Sequence, residues 1–302
     1  MTSLAELARE HSTLDRDDID HLHRLTAEWA FLADLCFADL LLYVRASGGK
    51  WLIVDQVRPA TNQTMYATDY VGSWADGDEA ELIDRAAGTG QRVEGAIEVD
   101  GGGDEVNHAR MLAIPVRRNG EIIAVLSKEW KVRAGRPLGE LERNYSFIFE
   151  EFAQMIEVGT FPFAGRVADS SAAPRVGDGV LTLDSSGTVT YVSPNANSAL
   201  HRVGIQANPV GMRLAELGFH DGPVRQAFER REPIVEEFEQ GADVTLLCRC
   251  VPLVTVGDTG AEIAGGLLLV RDVTELRKRD RLLLSKDATI REIHHRVKNN
   301  LQ

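Results

Sequence analysis

Arg271-Asp272-Val273-Thr274-Glu275-Leu276 is where the chain changes character. Before it, Ile263 to Val270 is an apolar run of strand type. After it, Leu276, Leu283, Ile290 and Val297 recur at seven-residue intervals, with Ile293 one turn beyond Ile290. That spacing is the apolar seam of a helix that pairs with another helix, so a homodimer is expected. Asp272 and Thr274 stand at the change from strand to helix. Both are short side chains able to accept backbone N–H bonds, and so to fix the direction in which the helix leaves the sheet. A change in the sheet would then reach the paired helices as a rotation or a register shift. Simple capping is the plainer role, and the two are compatible.

Downstream, the helix carries Glu292-Ile293-His294-His295-Arg296-Val297-Lys298-Asn299-Asn300-Leu301-Gln302. With Ile290 at heptad position a and Ile293 at d, His294 falls at e and His295 at f. His295 is then directed to solvent and His294 flanks the seam. A lone exposed histidine is ordinary solvated surface, but these neighbours suggest chemistry. Neutral imidazole has a free nitrogen lone pair near pH 7 and is a competent nucleophile. Glu292, three residues before His295, and Asn299, four after, share its face. A carboxylate there can hold one ring N–H and leave the other nitrogen free to attack. Arg296 and Lys298 supply positive charge where a phosphoryl group would be stabilised.

The run His295-Arg296-x-Lys298-Asn299-x-Leu301 resembles the phosphoacceptor box of the cytosolic sensor histidine kinases that carry His-Arg-x-Lys-Asn in place of the commoner His-Glu. The resemblance implies that His295, the histidine preceding Arg296, carries the phosphate and that His294 does not. It also implies ATP with Mg2+ as cofactor, and phosphotransfer to an aspartate on a response-regulator receiver domain. The chain stops at Gln302 in mid-helix and no ATP-binding domain follows, so autophosphorylation by this chain alone is not expected.

Composition sets the bounds. The 302 residues suggest about two domains, and 44% apolar with 26% charged residues is ordinary for a soluble globular protein. A formal charge of −13 argues against a nucleic-acid-binding surface over most of the chain. Residues 276–302 hold eight Lys/Arg against three Asp/Glu, a local +5 on an otherwise acidic body. Such a helix suits an acidic partner or ATP, or is a solvated face. Cys36, Cys248 and Cys250 form no disulfide framework and suit a reducing compartment. Met1 to Glu10 lacks a signal-peptide core. The most apolar stretch, Phe31 to Val44, is broken by Asp34 and Asp39 and is too short to span a bilayer. A cytoplasmic protein without membrane contact is expected.

Upstream of Asp272, Val180 to Asp184 and Thr188 to Val192 flank the turn Ser185-Ser186-Gly187, and Ser193-Pro194-Asn195 opens a helix. Strands follow at Ile234 to Phe238, Val244 to Val251 and Ile263 to Val270. This order, with Asp-Val-Thr after the last strand, resembles a PAS domain feeding a signalling helix. Cys248-x-Cys250 places both thiols on one face of a strand, where they read as small buried hydrophobes rather than metal ligands. His201 lies where some PAS domains carry a haem ligand, but no pocket motif accompanies it. The flavin-binding cysteine box of light-sensing PAS domains is absent.

Gly159 to Gly177, with Pro162, Pro174 and Ser170-Ser171-Ala172-Ala173, reads as a linker. Before it, Asp17-Asp18 could cap a helix bearing Ile19, Leu22, Leu25, Trp29, Leu32 and Cys36. His21 and His23 on that helix point to different faces and make no metal pair. Strands at Leu40 to Arg45 and Trp51 to Val57, a helix at Asp78 to Ala87, and a hairpin about Asn119-Gly120 follow. Gly101-Gly102-Gly103 reads as a loop without a phosphate-cradle pattern. A helix from Gly139 to Val158 closes the unit. The layout resembles a GAF domain, which often holds a small ligand against its sheet, though no residue announces which.

The fold expected is therefore α+β: a GAF-like domain over 1–158, a linker over 159–177, a PAS-like domain over 178–274, and the start of the phosphoacceptor helix over 275–302, each sensor built on an antiparallel sheet. The function expected is the sensor region of a two-component histidine kinase that answers to an unidentified small-molecule signal. The alternative is a ligand-binding module without kinase activity. A haem or metal sensor is a third reading, and no metal site is assigned.

Overall fold

A computed structural model describes residues 3–290, apart from 67, 101–105, 132–138, 166–172, 241–243, 258–259, 284–285 and 287–289. The class is α+β. Helices α1 (Leu4–His11) and α2 (Arg16–Cys36) precede strands β1 (Asp39–Arg45) and β2 (Trp51–Val57). Helix α3 (Gly77–Thr89), strands β3 (Val93–Asp100), β4 (Val106–Arg118) and β5 (Glu121–Lys131), and helix α4 (Glu140–Val158) complete the first unit. The second has β6 (Val180–Asp184), β7 (Val189–Val192), α5 (Pro194–Arg202), a 3-10 turn at Leu214–Leu217 and α6 (Gly222–Arg230). Strands β8 (Ile234–Gln240), β9 (Val244–Gly257) and β10 (Gly260–Asp272) finish it, and a further helix, α7, starts at 274.

Local chemistry accounts for most boundaries. The α2 stripe of Ile19, Leu22, Leu25, Trp29, Leu32 and Cys36 is buried throughout. Its cap is Asp15 rather than Asp17-Asp18. The Asp15 carboxylate accepts the Asp18 N–H at 2.7 Å, and the Asp18 carboxylate accepts the Asp15 N–H at 3.2 Å. A capping box needs its second acid three residues into the helix, and Asp18 occupies that place. Asn119 and Gly120 have φ of 51° and 87°, the left-handed pair of a tight hairpin joining β4 to β5. Helix α1 and strand β3 were not anticipated. Gly101-Gly102-Gly103 lies outside the described residues.

Each sheet is antiparallel and five-stranded, ordered β2-β1-β5-β4-β3 in the first and β7-β6-β10-β9-β8 in the second. Within its own unit, each therefore runs second, first, fifth, fourth, third. One face of the first sheet is covered by α1, α2 and α4. Its other face is covered by α3 and by the segment that crosses from β2 to α3.

The second sheet is buried on both faces. Leu246, Cys248 and Cys250 of β9 and Leu268 and Val270 of β10 pack with α5 and α6. The alternate residues Val251, Leu253, Leu267 and Leu269 join the core of α2 and α4. Period-two alternation thus gives the second sheet one face for its own helices and one for the first unit. Tyr145 of α4 meets Tyr191 of β7 edge-on at 6.4 Å, and Met155 Sδ of α4 accepts the Val254 N–H at 3.4 Å.

Candidate functional site

The end of β10 is tied down from three directions. Asp272 Oδ1 accepts the Thr274 N–H at 2.9 Å, and Asp272 Oδ2 accepts from Arg202 Nη1, on α5, at 2.6 Å. Partial burial would raise the Asp272 pKa, but the Thr274 bonds and the Arg202 guanidinium together hold it below the usual carboxylate range. Thr274 Oγ1 accepts the N–H of Thr245, at the start of β9, at 3.0 Å. The buried Val273 donates its N–H to Thr245 O at 3.0 Å and accepts the first helical bond, from Arg277 N, at 2.9 Å.

The third tether begins inside α7. Arg277 Nε lies 2.8 and 2.9 Å from the two carboxylate oxygens of Glu237 on β8, and Nη1 reaches Asp280 at 3.2 Å. One turn later Arg281 pairs with Glu239. Glu237 and Glu239 are two apart on a strand and Arg277 and Arg281 four apart on a helix, so each pair presents one face to the other. Exposed pairs of this kind contribute little stability singly. Their effect is directional: the helix cannot swing without breaking contact with β8, β9 or α5. Asp272 and Thr274 were legible as junction residues, whereas Arg202, Thr245, Glu237 and Glu239 were not.

His295, Glu292, Arg296, Lys298 and Asn299 lie outside the described residues, as do His294, Val297 and Ile293. Of the seam, Leu276, Leu283 and Ile290 are each about half exposed on the single chain (47%, 61% and 52%).

Two further features bear on sensing. A cavity of about 570 Å³ opens between the first sheet, the start of α3 and the segment preceding it. The guanidinium of Arg249 on β9 is bonded to the Glu28 carboxylate on α2, across the boundary between the two units. The cysteines behave as small hydrophobes: Cys248 and Cys250 point into the second core, and burial pushes the Cys250 thiol up to about 12. His21 is buried and His23 exposed, so they do face opposite ways. His201 is exposed at the end of α5. Among the described residues no helix is long and apolar enough to cross a membrane.

Known proteins place this architecture. Residues 4–148 match the family described as "Histidine kinase PdtaS, GAF domain". The whole chain aligns with the sensor histidine kinase PdtaS of Mycolicibacterium smegmatis at 38% identity, and with that of Mycobacterium tuberculosis at 39%. It spans 62% of the length of each of these relatives. A solved sensor region of a sensor histidine kinase superposes with a TM-score of 0.76 at 33% identity, over 91% of this chain and 99% of that one. The chain belongs with the sensor regions of sensor histidine kinases, and over its whole length it is similar to the PdtaS proteins.

Proposed function

We propose that the chain couples two stacked sensor units to a phosphoacceptor histidine, His295, through the junction at Asp272 and Thr274. The observation that carries this reading is the three-way tether of α7. A shift in β8, β9 or α5 has a hydrogen-bonded or ion-paired route into the base of the helix that leads to the His-Arg-x-Lys-Asn box. Because packed interfaces have discrete arrangements, such a shift reaches α7 as a step rather than a gradual bend. Leu276, Leu283 and Ile290 supply a stripe that a second copy would cover, giving a homodimer in which the paired helices read the step.

In this reading Glu292 orients the His295 ring, leaving the other ring nitrogen to attack the γ-phosphorus of ATP. Arg296, Lys298 and Asn299 stabilise the charge on the transferred group. The P–N bond forms as the P–O bond to ADP breaks, and the phosphoryl then passes to an aspartate of a response-regulator receiver domain. Binding of ATP with Mg2+ belongs to the part of the relatives that this chain does not span. GAF-like residues 1–158 and PAS-like residues 178–274 act as the receivers of the signal, joined by residues 159–177, in a cytoplasmic protein with no direct nucleic-acid contact.

The experiment is incubation of the 302-residue chain with γ-labelled ATP, alone and with the ATP-binding part of a PdtaS relative. Acid-labile label that appears only in the mixture, and is lost in His295→Ala, supports the carrier role. No label in the mixture supports a ligand-binding module without phosphoacceptor function.

A further inference from the structure

The cavity of the first unit has walls of two kinds. Tyr66, Tyr70 and Trp74, from the segment before α3, supply aromatic surface, with Tyr66 and Tyr70 edge-on at 5.0 Å. Side chains of β1, β2 and β3 make an aliphatic floor. Every ionisable carboxyl or basic group on the lining is an acid: Asp76, Asp78, Glu79 and Glu98. The lining holds no Lys or Arg, and no cation is paired with any of these four among the described residues. An anionic ligand would meet uncompensated negative charge. A bare metal ion would need a compact shell of oxygens, and about 570 Å³ walled by rings and aliphatic side chains does not supply one. Aromatic faces and carboxylates together are the surroundings that attract an organic ammonium group.

Helix α3 gives Asp76, Asp78 and Glu79 a plainer role, since acids favour a helix N-terminus. For Glu79 that role is incomplete, because its side chain continues into a buried network. Glu79 Oε1 lies 2.5 Å from Tyr43 Oη, which lies 3.1 Å from Glu129 Oε1. Glu129, fully buried on β5, also accepts from Ser127 Oγ at 2.5 Å and from the Tyr66 hydroxyl. Three hydroxyls therefore converge on Glu129. A phenol has one hydrogen, and if Tyr43 gives it to Glu129, the short contact to Glu79 needs a hydrogen from Glu79. Because Tyr43 can give its hydrogen to only one of the two carboxyls, a single proton held between Glu79 and Glu129 would satisfy both contacts.

We propose that this cavity is a receptor site for a small organic cation with an aromatic or aliphatic body, and that the cation binds by displacing the proton held between Glu79 and Glu129. The proton leaves to solvent and the ammonium charge takes its place, so the charge of the site is conserved. The groups facing Glu79 are Tyr43 from β1, Glu129 from β5, Tyr66 and Asp76 from the crossing segment, and Asp78 beside it on α3. Tyr43 and Tyr66 already donate their hydroxyls, Glu129 already accepts from three hydroxyls, and Asp76 and Asp78 are exposed, so the displaced proton passes to solvent. Burial, reinforced by Glu129, holds the Glu79 pKa up at about 7, so displacement is complete in mildly acid solution and vanishes in alkaline solution. The binding step needs neither ATP nor His295, so it stands or falls separately from the phosphoacceptor reading.

The test is isothermal titration of the 302-residue chain with three probes that share a phenyl body. These are phenethylammonium, neutral 3-phenylpropan-1-ol and anionic 3-phenylpropanoate, each in two buffers of different ionisation enthalpy. At pH 6 phenethylammonium should bind at least tenfold more tightly than either analogue and release close to one proton. At pH 8.5 it should bind more tightly still and release almost none. Glu79→Gln, an isostere of the protonated acid, should abolish proton release and weaken binding at pH 8.5 at least tenfold. Trp74→Leu, at a 44% exposed position, should weaken binding several-fold with the folded fraction retained. Equal or tighter binding of the alcohol or the carboxylate would overturn the proposal. So would no binding of the amine at millimolar concentration, or binding without proton release at pH 6.

Discussion

Arg249 and Glu28 form an ion pair between the two sensor units, with side chains only 8% and 4% exposed. Arg249 comes from the face of β9 opposite Cys248 and Cys250, and its guanidinium also lies 5.6 Å from the centre of the Phe31 ring on α2. Desolvating two charges is costly, and the pair persists because each compensates the other. Removing one partner strands a buried charge. Glu28→Ala should therefore destabilise the chain by about 3–5 kcal/mol, and Glu28→Leu with Arg249→Met by much less. Urea unfolding of the two variants decides this, and equal losses would mean that the pair is not buried between the units.

At the junction, Thr274→Val removes the acceptor of the buried Thr245 N–H while keeping side-chain shape. It should cost about 1–2 kcal/mol. Asp272→Ala should cost about 1 kcal/mol, as loss of a helix-capping carboxylate usually does. Their effect on signalling should exceed their effect on stability, because both loosen the base of α7. Phosphorylation assays on the chain extended by a relative's kinase part should show altered signal dependence in both variants, with the folded fraction retained. An unaltered response in both would remove the junction from the signalling route.

Two buried groups give stability opposite pH dependences. Burial, then Glu129, raises the folded Glu79 pKa to about 7 from an ordinary 4.5. The native state thus binds more protons than the unfolded state between these values, and stability falls as pH rises from about 4.5 to 7, by on the order of 2 kcal/mol. His21 is depressed to about 4, by burial first and then by Arg24 and Arg118. Its stabilising contribution is present above about 6.5 and is lost as pH falls toward 4. Glu79→Gln should flatten the decline between pH 5 and 7, and His21→Leu should reduce the loss below pH 6. Denaturation midpoints across that range measure both.

Gly265 sits at a register shift in β10, and a Cβ there would lie 2.3 Å from Leu183 O of β6. No backbone group can yield that far without breaking the β6–β10 pairing. Gly265→Ala should cost several kcal/mol and widen the near-ultraviolet signature of the second core before the first is affected. A loss under about 0.5 kcal/mol, the scatter of ordinary surface changes, would contradict the close approach.

The parts of this fold written in local chemistry were legible from sequence. The α2 stripe, the Asn119-Gly120 turn and the change at Asp272 each rest on residues a few positions apart. Strand β3 was not legible: Glu94 and Glu98 are exposed on an edge, and Gly95 breaks the alternation. A Cβ at that glycine would stand 2.6 Å from Leu82 Cδ2 on α3, so a larger residue there would oblige the Leu82 side chain to move. Glu28 and Arg249 are 221 residues apart, and neither has a local signal beyond being a charge among apolar neighbours. The Tyr43–Glu79–Glu129 network draws on β1, α3 and β5 and exists only once the sheet has formed.

The position of the phosphoryl group tests the account most directly. Chain phosphorylated by ATP and a relative's ATP-binding part would be digested at neutral pH, where phosphohistidine survives, and sequenced by tandem mass spectrometry. The account predicts a phosphoramidate on His295 with His294 unmodified. A phosphate on His294, on a hydroxyl, or nowhere between 276 and 302 would contradict it.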